Sequence, residues 1–211
     1  NTDGNGKGVF KYAPPSGFLS LCTSNLPEPT IGPNSATQAD DNFNTVLYTG
    51  SGSSPNAITG VGFQPDWVWI KKRSASISHA IFDSSRGVTS AGATNKAIGT
   101  NRTDAEGNGN GGLSAFGSDG FTLVDGSSGS YPRSLVNDSA TYVAWNWLAG
   151  TAFSNDASAT SVGTIDSSGQ VNTKAGFSIV SYPGTTTTNT NTGSAHGLIH
   201  QPHLISIQNR K

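Results

Sequence analysis

The chain has 211 residues, of which 33% are hydrophobic and 12% charged, against roughly 45–50% and about 25% in ordinary globular domains; Ser, Thr, Asn and Gly fill the deficit with 97 positions. Ser, Thr and Asn compete with the helical backbone for hydrogen bonds and Gly loses most entropy when fixed, so a mostly helical fold is excluded and short strands joined by polar turns are favoured. A formal net charge of -1, from 12 Lys and Arg against 13 Asp and Glu, excludes the electrostatic footprint of a nucleic-acid binder or of a protein drawn to an anionic membrane.

No apolar run approaches the ~20 residues of a membrane span, and no charged start followed by an apolar stretch resembles a signal peptide. Cys22 stands alone, which excludes an internal disulfide framework. The absence of any Met leads to the expectation that the chain is a fragment or processed product of something longer.

In chain order, residues 1–8 read as a Gly-rich loop entering a short strand at Val9–Tyr12, stopped by Pro14 and Pro15. A second short apolar stretch covers Phe18–Cys22, and residues 26–41 read as a Pro-rich linker, extended and stiff. Strands are predicted at Phe43–Tyr48, Trp67–Lys71, Ala80–Asp83, Gly120–Val124 and Tyr142–Leu148, separated by Gly, Ser and Asn clusters. That spacing predicts an all-β sandwich, of jelly-roll or lectin-like type, although short alternating strands serve the concanavalin and the immunoglobulin orders equally. Residues 151–172 read as a polar linker, and Thr185–Thr192 as a long exposed loop or hairpin tip.

An internal repeat organises the rest. Phe43–Gly50 aligns with Phe177–Gly184, sharing Phe, Val, Tyr and Gly in register, and Gln64–Arg73 aligns with Gln201–Arg210. Residues 42–150 therefore read as a complete first repeat and 173–211 as the truncated start of a second. Alternation puts Val68 and Ile70 on one face of their strand and Trp67 and Trp69 on the other, with Ile205 and Ile207 opposed to Leu204 and Ser206 in the second copy. Val68 and Ile70 are the expected core residues.

The four tryptophans form two Trp-x-Trp pairs, Trp67/Trp69 and Trp145/Trp147, each projecting from one face of its strand. Sugar rings stack on exposed aromatics, so Trp67 and Trp69 are the candidate glycan-facing residues; the competing reading is that bulky aromatics fill the interior of a chain short of apolar residues. Asp104–Asn110 resembles the opening of a calcium loop, but Ala115 stands where loop position twelve requires an acid, so a solvated turn is the favoured reading. His196, His200 and His203 flank a strand entry without any Cys nearby, and no metal site is assigned to them. Lys71, Lys72 and Arg73 read as a solvated edge guard. Arg86 is expected to pair with Asp83 in a structural turn. No nucleophile elbow, phosphate loop or dinucleotide fingerprint is present, and no catalytic residue or cofactor is assigned.

Two segments carry a resemblance. Phe10–Pro29 resembles the closing strands of the SPRY-like, concanavalin-type domains in large structural proteins of marine tailed bacteriophages, and residues 1–25 would then be the last strands of such a domain. Phe43–Gly50, Gly62–Lys71, Phe82–Gly87, Asp119–Phe121 and Tyr142–Trp147 resemble, in order, the β-sandwich domain that follows it there. The resemblance implies a virion protein of tail-fibre or other appendage type, structural and adhesive rather than enzymatic. It implies a homo-oligomer, a trimer by preference, with other virion proteins as partners and a host-surface glycan as ligand, and neither nucleic acid nor membrane insertion. The alternatives are a carbohydrate-binding module of a secreted bacterial polysaccharide-active protein and a fibre-borne polysaccharide depolymerase.

Overall fold

The computed structural model describes residues 1–26, 38–88, 96–107, 111–125, 133–185 and 191–210. Most of the expected linker 26–41, the end of the calcium-like loop at 108–110 and the centre of the Thr/Asn segment at 186–190 lie outside these residues. Among them the fold is all-β: ten strands in three antiparallel sheets, with two single-turn helices. No described helix is long and apolar enough to cross a membrane.

The first sheet holds β1 (Phe43–Thr49), β7 (Thr141–Trp147), β3 (Trp67–Lys72) and β4 (Ala80–Asp83), in that spatial order. The second holds β2 (Asn56–Thr59), β6 (Gly120–Val124) and β5 (Gly112–Gly117). They pack face to face as a sandwich, because each presents one apolar set at period two. Val68, Ile70, Phe82 and Ala144 of the first sheet meet Ile58, Leu113, Phe121 and Leu123 of the second in one buried cluster, as the alternation of β3 predicts for Val68 and Ile70. The helix α1 (Arg133–Val136) closes one end by burying Leu135 and Val136 in the same cluster.

Polar groups at that end are met by protein partners. Asn137, fully buried, accepts at Oδ1 from the Asn56 amide (2.7 Å) and the Ser51 backbone N–H (3.2 Å), and donates from Nδ2 to Ser53 O (2.9 Å). Tyr48 and Tyr142 stack at 5.1 Å, and Tyr48 donates its hydroxyl proton to Val136 O (2.7 Å). Burial pushes the Tyr48 phenol well above its ordinary value and, with the Asp138 charge beside it, pushes Tyr142 up to about 12. Both phenols therefore stay neutral donors through the physiological range. At the β5–β6 turn a Cβ on Gly120 would fall 2.0 Å from Ile58 O, and its φ of +150° lies where only glycine is at ease.

The third sheet is made of β8 (Thr151–Asn155), β9 (Ser167–Asn172) and β10 (Phe177–Ser181), ordered β10-β9-β8. Residues 151–172, read from composition as a polar linker, thus contain two strands, with the short helix α2 (Ala157–Thr160) between them. Their Ser, Gly and Gln content hides the pattern, and only Val171 among their apolar residues is buried. α2 is capped by Asp156, whose carboxylate accepts from the backbone N–H groups of Ser158 and Ala159. β10 is the strand that the repeat predicts from its match to β1.

Two strand expectations fail. Residues 1–26 carry no strand; they fold about Asp3, which accepts from the backbone N–H groups of Asn5, Lys7 and Ser20 and from the Ser20 hydroxyl and the Asn25 amide. These bonds hold the Asp3 carboxyl far below the usual range, the Ser20 N–H most of all. Val9 and Leu21 remain fully exposed, since no neighbouring strand offers them a ladder or a core. Residues 195–210 likewise form no strand, although Leu204–Gln208 aligns with β3.

Leu123→Ala, at the centre of the sandwich, is expected to lower the unfolding free energy by about 2–5 kcal/mol, whereas Leu47→Ala, at a site 61% exposed, should change it by less than about 0.5 kcal/mol. Urea unfolding followed by circular dichroism measures both.

Candidate functional site

The outer face of the first sheet is built by the same alternation that builds the core. In β3 and β7 every second side chain points away from the sandwich, and the antiparallel register sets Trp67 opposite Trp147 and Trp69 opposite Trp145. Both Trp-x-Trp pairs are thereby brought into one four-ring cluster. Trp67 and Trp147 lie 4.6 Å apart between centroids, Trp69 and Trp145 5.5 Å, and Trp67 and Trp69 6.0 Å. Phe43 extends the row from β1, 4.7 Å from Trp147. All four indoles are partly buried, neither sealed in the core nor free on the surface.

One half of this face is covered. Phe177 of β10 packs on Trp67 (5.7 Å) and stacks on Trp147 (5.9 Å, 21° between planes), so the third sheet sits against the Trp67/Trp147 half. Its seat is fixed by polar latches. The Asn172 amide donates to Leu148 O (3.1 Å) and Asn42 Oδ1 (2.7 Å). Gln170 Oε1 lies 2.5 Å from the Ser84 hydroxyl. Ser84 is in turn bound to Asp66, which is 3% exposed and accepts at Oδ2 from the backbone N–H groups of Ala149 (2.9 Å) and Gly150 (2.6 Å). Asp66 therefore fixes the chain where it leaves β7 for β8.

The other half meets His79 in place of Phe177. Trp69 donates its indole N–H to Nδ1 of His79 (2.9 Å), which requires the imidazole to carry its proton on Nε2. Burial, and then the nearby Lys71 charge, lowers the His79 pKa from its ordinary 6.5. The neutral ring is thus the form that orients Trp69 at neutral pH.

Trp67, Trp69 and Trp147 line a wide cleft of about 3220 Å³ whose far wall is β10 and residues 198–210. Its rim is charged. Arg86, with a side chain 5% exposed, donates from Nε to Asp83 Oδ2 (2.5 Å) and from NH1 to Lys96 O (2.6 Å), so the expected Asp83–Arg86 pair is formed. Glu106 lies 3.8 Å from Arg86, 3.7 Å from Lys96 and 2.5 Å from Arg210. Each of these charges has an opposite partner within the cluster, so it stiffens the rim. Among the described residues no three His, Cys, Asp or Glu side chains are gathered for a metal. His196, His200 and His203 lie along the cleft wall, where His196 Nδ1 accepts the Leu198 backbone N–H.

The sequence singled out both Trp-x-Trp pairs, with Trp67 and Trp69 as the glycan-facing candidates; the structure places all four side by side on the outer face and adds His79 and Phe177. The signal for Phe177 was its alignment with Phe43, and the two rings sit against the same Trp147. His79 carried no signal, since a lone histidine in a polar turn has no pattern.

Because the folded protein takes up the His79 proton at lower pH than an unfolded chain does, the Trp69–His79 bond is fully kept above pH 6.5 and is lost only as the pH falls through the lowered value. Native tryptophan emission is expected to stay constant from pH 8 to about 6.5 and to change below that; His79→Gln should remove the step.

Residues 38–211 match a family model described as a domain of unknown function, DUF7483. That single span takes in the sandwich, the third sheet and the C-terminal segment. No curated protein and no solved structure matches the chain.

Proposed function

We propose that this chain, which belongs to the DUF7483 family, is a non-enzymatic structural and adhesive component of a bacteriophage particle, of tail-fibre or appendage type, that contacts host-surface glycans through its outer aromatic face. The observation that carries the reading is the tryptophan row beside a wide cleft. Indole faces held rigid by a sheet offer a stacking platform at low entropic cost, because their rotamers are already fixed by the neighbouring rings. The half without Phe177, Trp69 with Trp145, is the part that meets a sugar ring; Trp67 and Trp147 are occupied by Phe177.

The particle context rests on the sequence resemblance of residues 9–150. A low net charge and a surface of hydroxyl and amide groups suit a fibre that acts by many weak contacts, whose combined avidity exceeds any single site. Closed symmetry, a trimer in the first instance, supplies the copies.

Titration with host lipopolysaccharide or capsule is expected to shift tryptophan emission saturably, and Trp69→Ala should weaken binding at least about tenfold, equal to ~1.4 kcal/mol. Light scattering on a size-exclusion column should give a trimeric mass. A monomer whose emission is indifferent to every glycan would overturn the reading, and release of reducing ends would move it to the depolymerase class.

A further inference from the structure

Three basic residues close β3, and alternation sends them to two faces. β3 runs between β7 and β4, so it is an interior strand rather than the edge that the basic run was expected to guard. Lys72 turns to the sandwich side, where its ammonium lies 3.3 Å from Asp138 Oδ2 and 6.0 Å from the centre of the Tyr142 ring. Lys71 shares the outer face with Trp67 and Trp69, at period two. The ladder with β7 continues one residue further, since the Arg73 backbone N–H donates to Thr141 O (2.7 Å), and Arg73 therefore follows Lys71 on the outer face.

Charge on the outer face is thus divided between its two ends. At the Phe177 end Asp83 stands opposite Trp67 and is held by Arg86. Beyond Trp69 and Trp145 come Lys71, opposite Val143, and then the exposed Arg73; among the described residues neither has an acidic partner. The Lys71 ammonium donates to Lys72 O (2.7 Å) and Ala75 O (3.3 Å), which fixes its position and leaves its charge without a counter-ion. Two residues along a strand span about 7 Å, and the Lys71 charge acts on His79, whose Nδ1 holds the Trp69 indole N–H at 2.9 Å. An indole and two unpaired cations therefore lie in one row along one strand.

We infer that the saccharide taken by this face is an acidic one: its ring stacks on Trp69 and Trp145, and a carboxylate or sulfate on that ring or the next is bound by Lys71 and Arg73. The inference rests on the glycan reading and gives it a substrate class. An ammonium and a guanidinium on the same side as an aromatic plate reward an anion with charge-assisted hydrogen bonds, whereas a neutral sugar meets only the plate. The net charge of -1 offers a polyanion no general attraction, so the preference belongs to these two residues.

The test titrates the whole chain, followed by tryptophan emission, with two matched pairs of probes: tetragalacturonic acid and its methyl ester, and dextran sulfate and plain dextran. The acidic member of at least one pair is expected to bind about tenfold or more tightly than its neutral partner, with the advantage shrinking as salt is raised from about 0.05 to about 0.5 M. Which pair shows it distinguishes carboxylate from sulfate. Arg73→Gln, at an exposed site, should reduce the advantage about three- to fivefold without altering urea unfolding. Adding Lys71→Gln should abolish it while the neutral partner keeps its affinity, and Lys7→Gln, on the N-terminal segment, should change nothing. Equal affinity within both pairs, lost in Trp69→Ala, overturns the inference and keeps the glycan reading. An acidic advantage that survives the double variant overturns it too, and silence of all four probes counts against both.

Discussion

Everything in this fold depends on the pairing of β3 with β7 at the middle of the first sheet. Trp67–Ile70 and Ala144–Trp147 alternate, and their antiparallel register stacks like upon like: Val68, Ile70 and Ala144 inward, four tryptophans outward. One strand pair thus supplies the sandwich core and a second apolar face at the same time. A chain with 33% hydrophobic residues has little apolar surface to spare, and concentrating its bulkiest residues on two strands lets a thin third sheet find enough contact to dock.

The scarcity of charge has a matching consequence. Loops are closed by amides, hydroxyls and isolated carboxylates that accept several N–H groups at once, as Asn137, Asp66 and Asp3 do. Such groups cost little to bury because their partners are fixed backbone donors. A charged cluster, Asp83–Arg86–Glu106 with Lys96 and Arg210, ties the turn after β4 to the C-terminal segment and so decides where the cleft wall stands.

The elements legible in the sequence were those whose strands face a core. Ala80–Asp83 and Gly120–Val124 have the predicted bounds, and Trp67–Lys72 shows its two faces in the letters alone. β2 was hidden because it is four residues long and buries only Ile58, and β5 because glycines bound it and a bulge breaks its register after Leu113. β8 and β9 were hidden because their strand character comes from pairing rather than from composition; a Cβ on Gly169 would fall 1.8 Å from Ile179 O, so close backbone contact replaces side-chain packing there. Val9–Tyr12 and Leu204–Gln208 show the converse: a strand pattern becomes a strand only when a ladder partner is present. The gathering of the two Trp-x-Trp pairs into one cluster needed the register, which no local pattern encodes.

The central claim is that the outer tryptophan face is a docking surface, and that the third sheet is held on it by Phe177 rather than being part of the sandwich. Residue-resolved hydrogen exchange on the intact chain and on Phe177→Ala tests it most directly. Protection across residues 151–155 and 167–172 is expected to fall sharply in the variant while residues 67–72 and 141–147 keep theirs. Equal losses in both sets, or no loss in either, would contradict it.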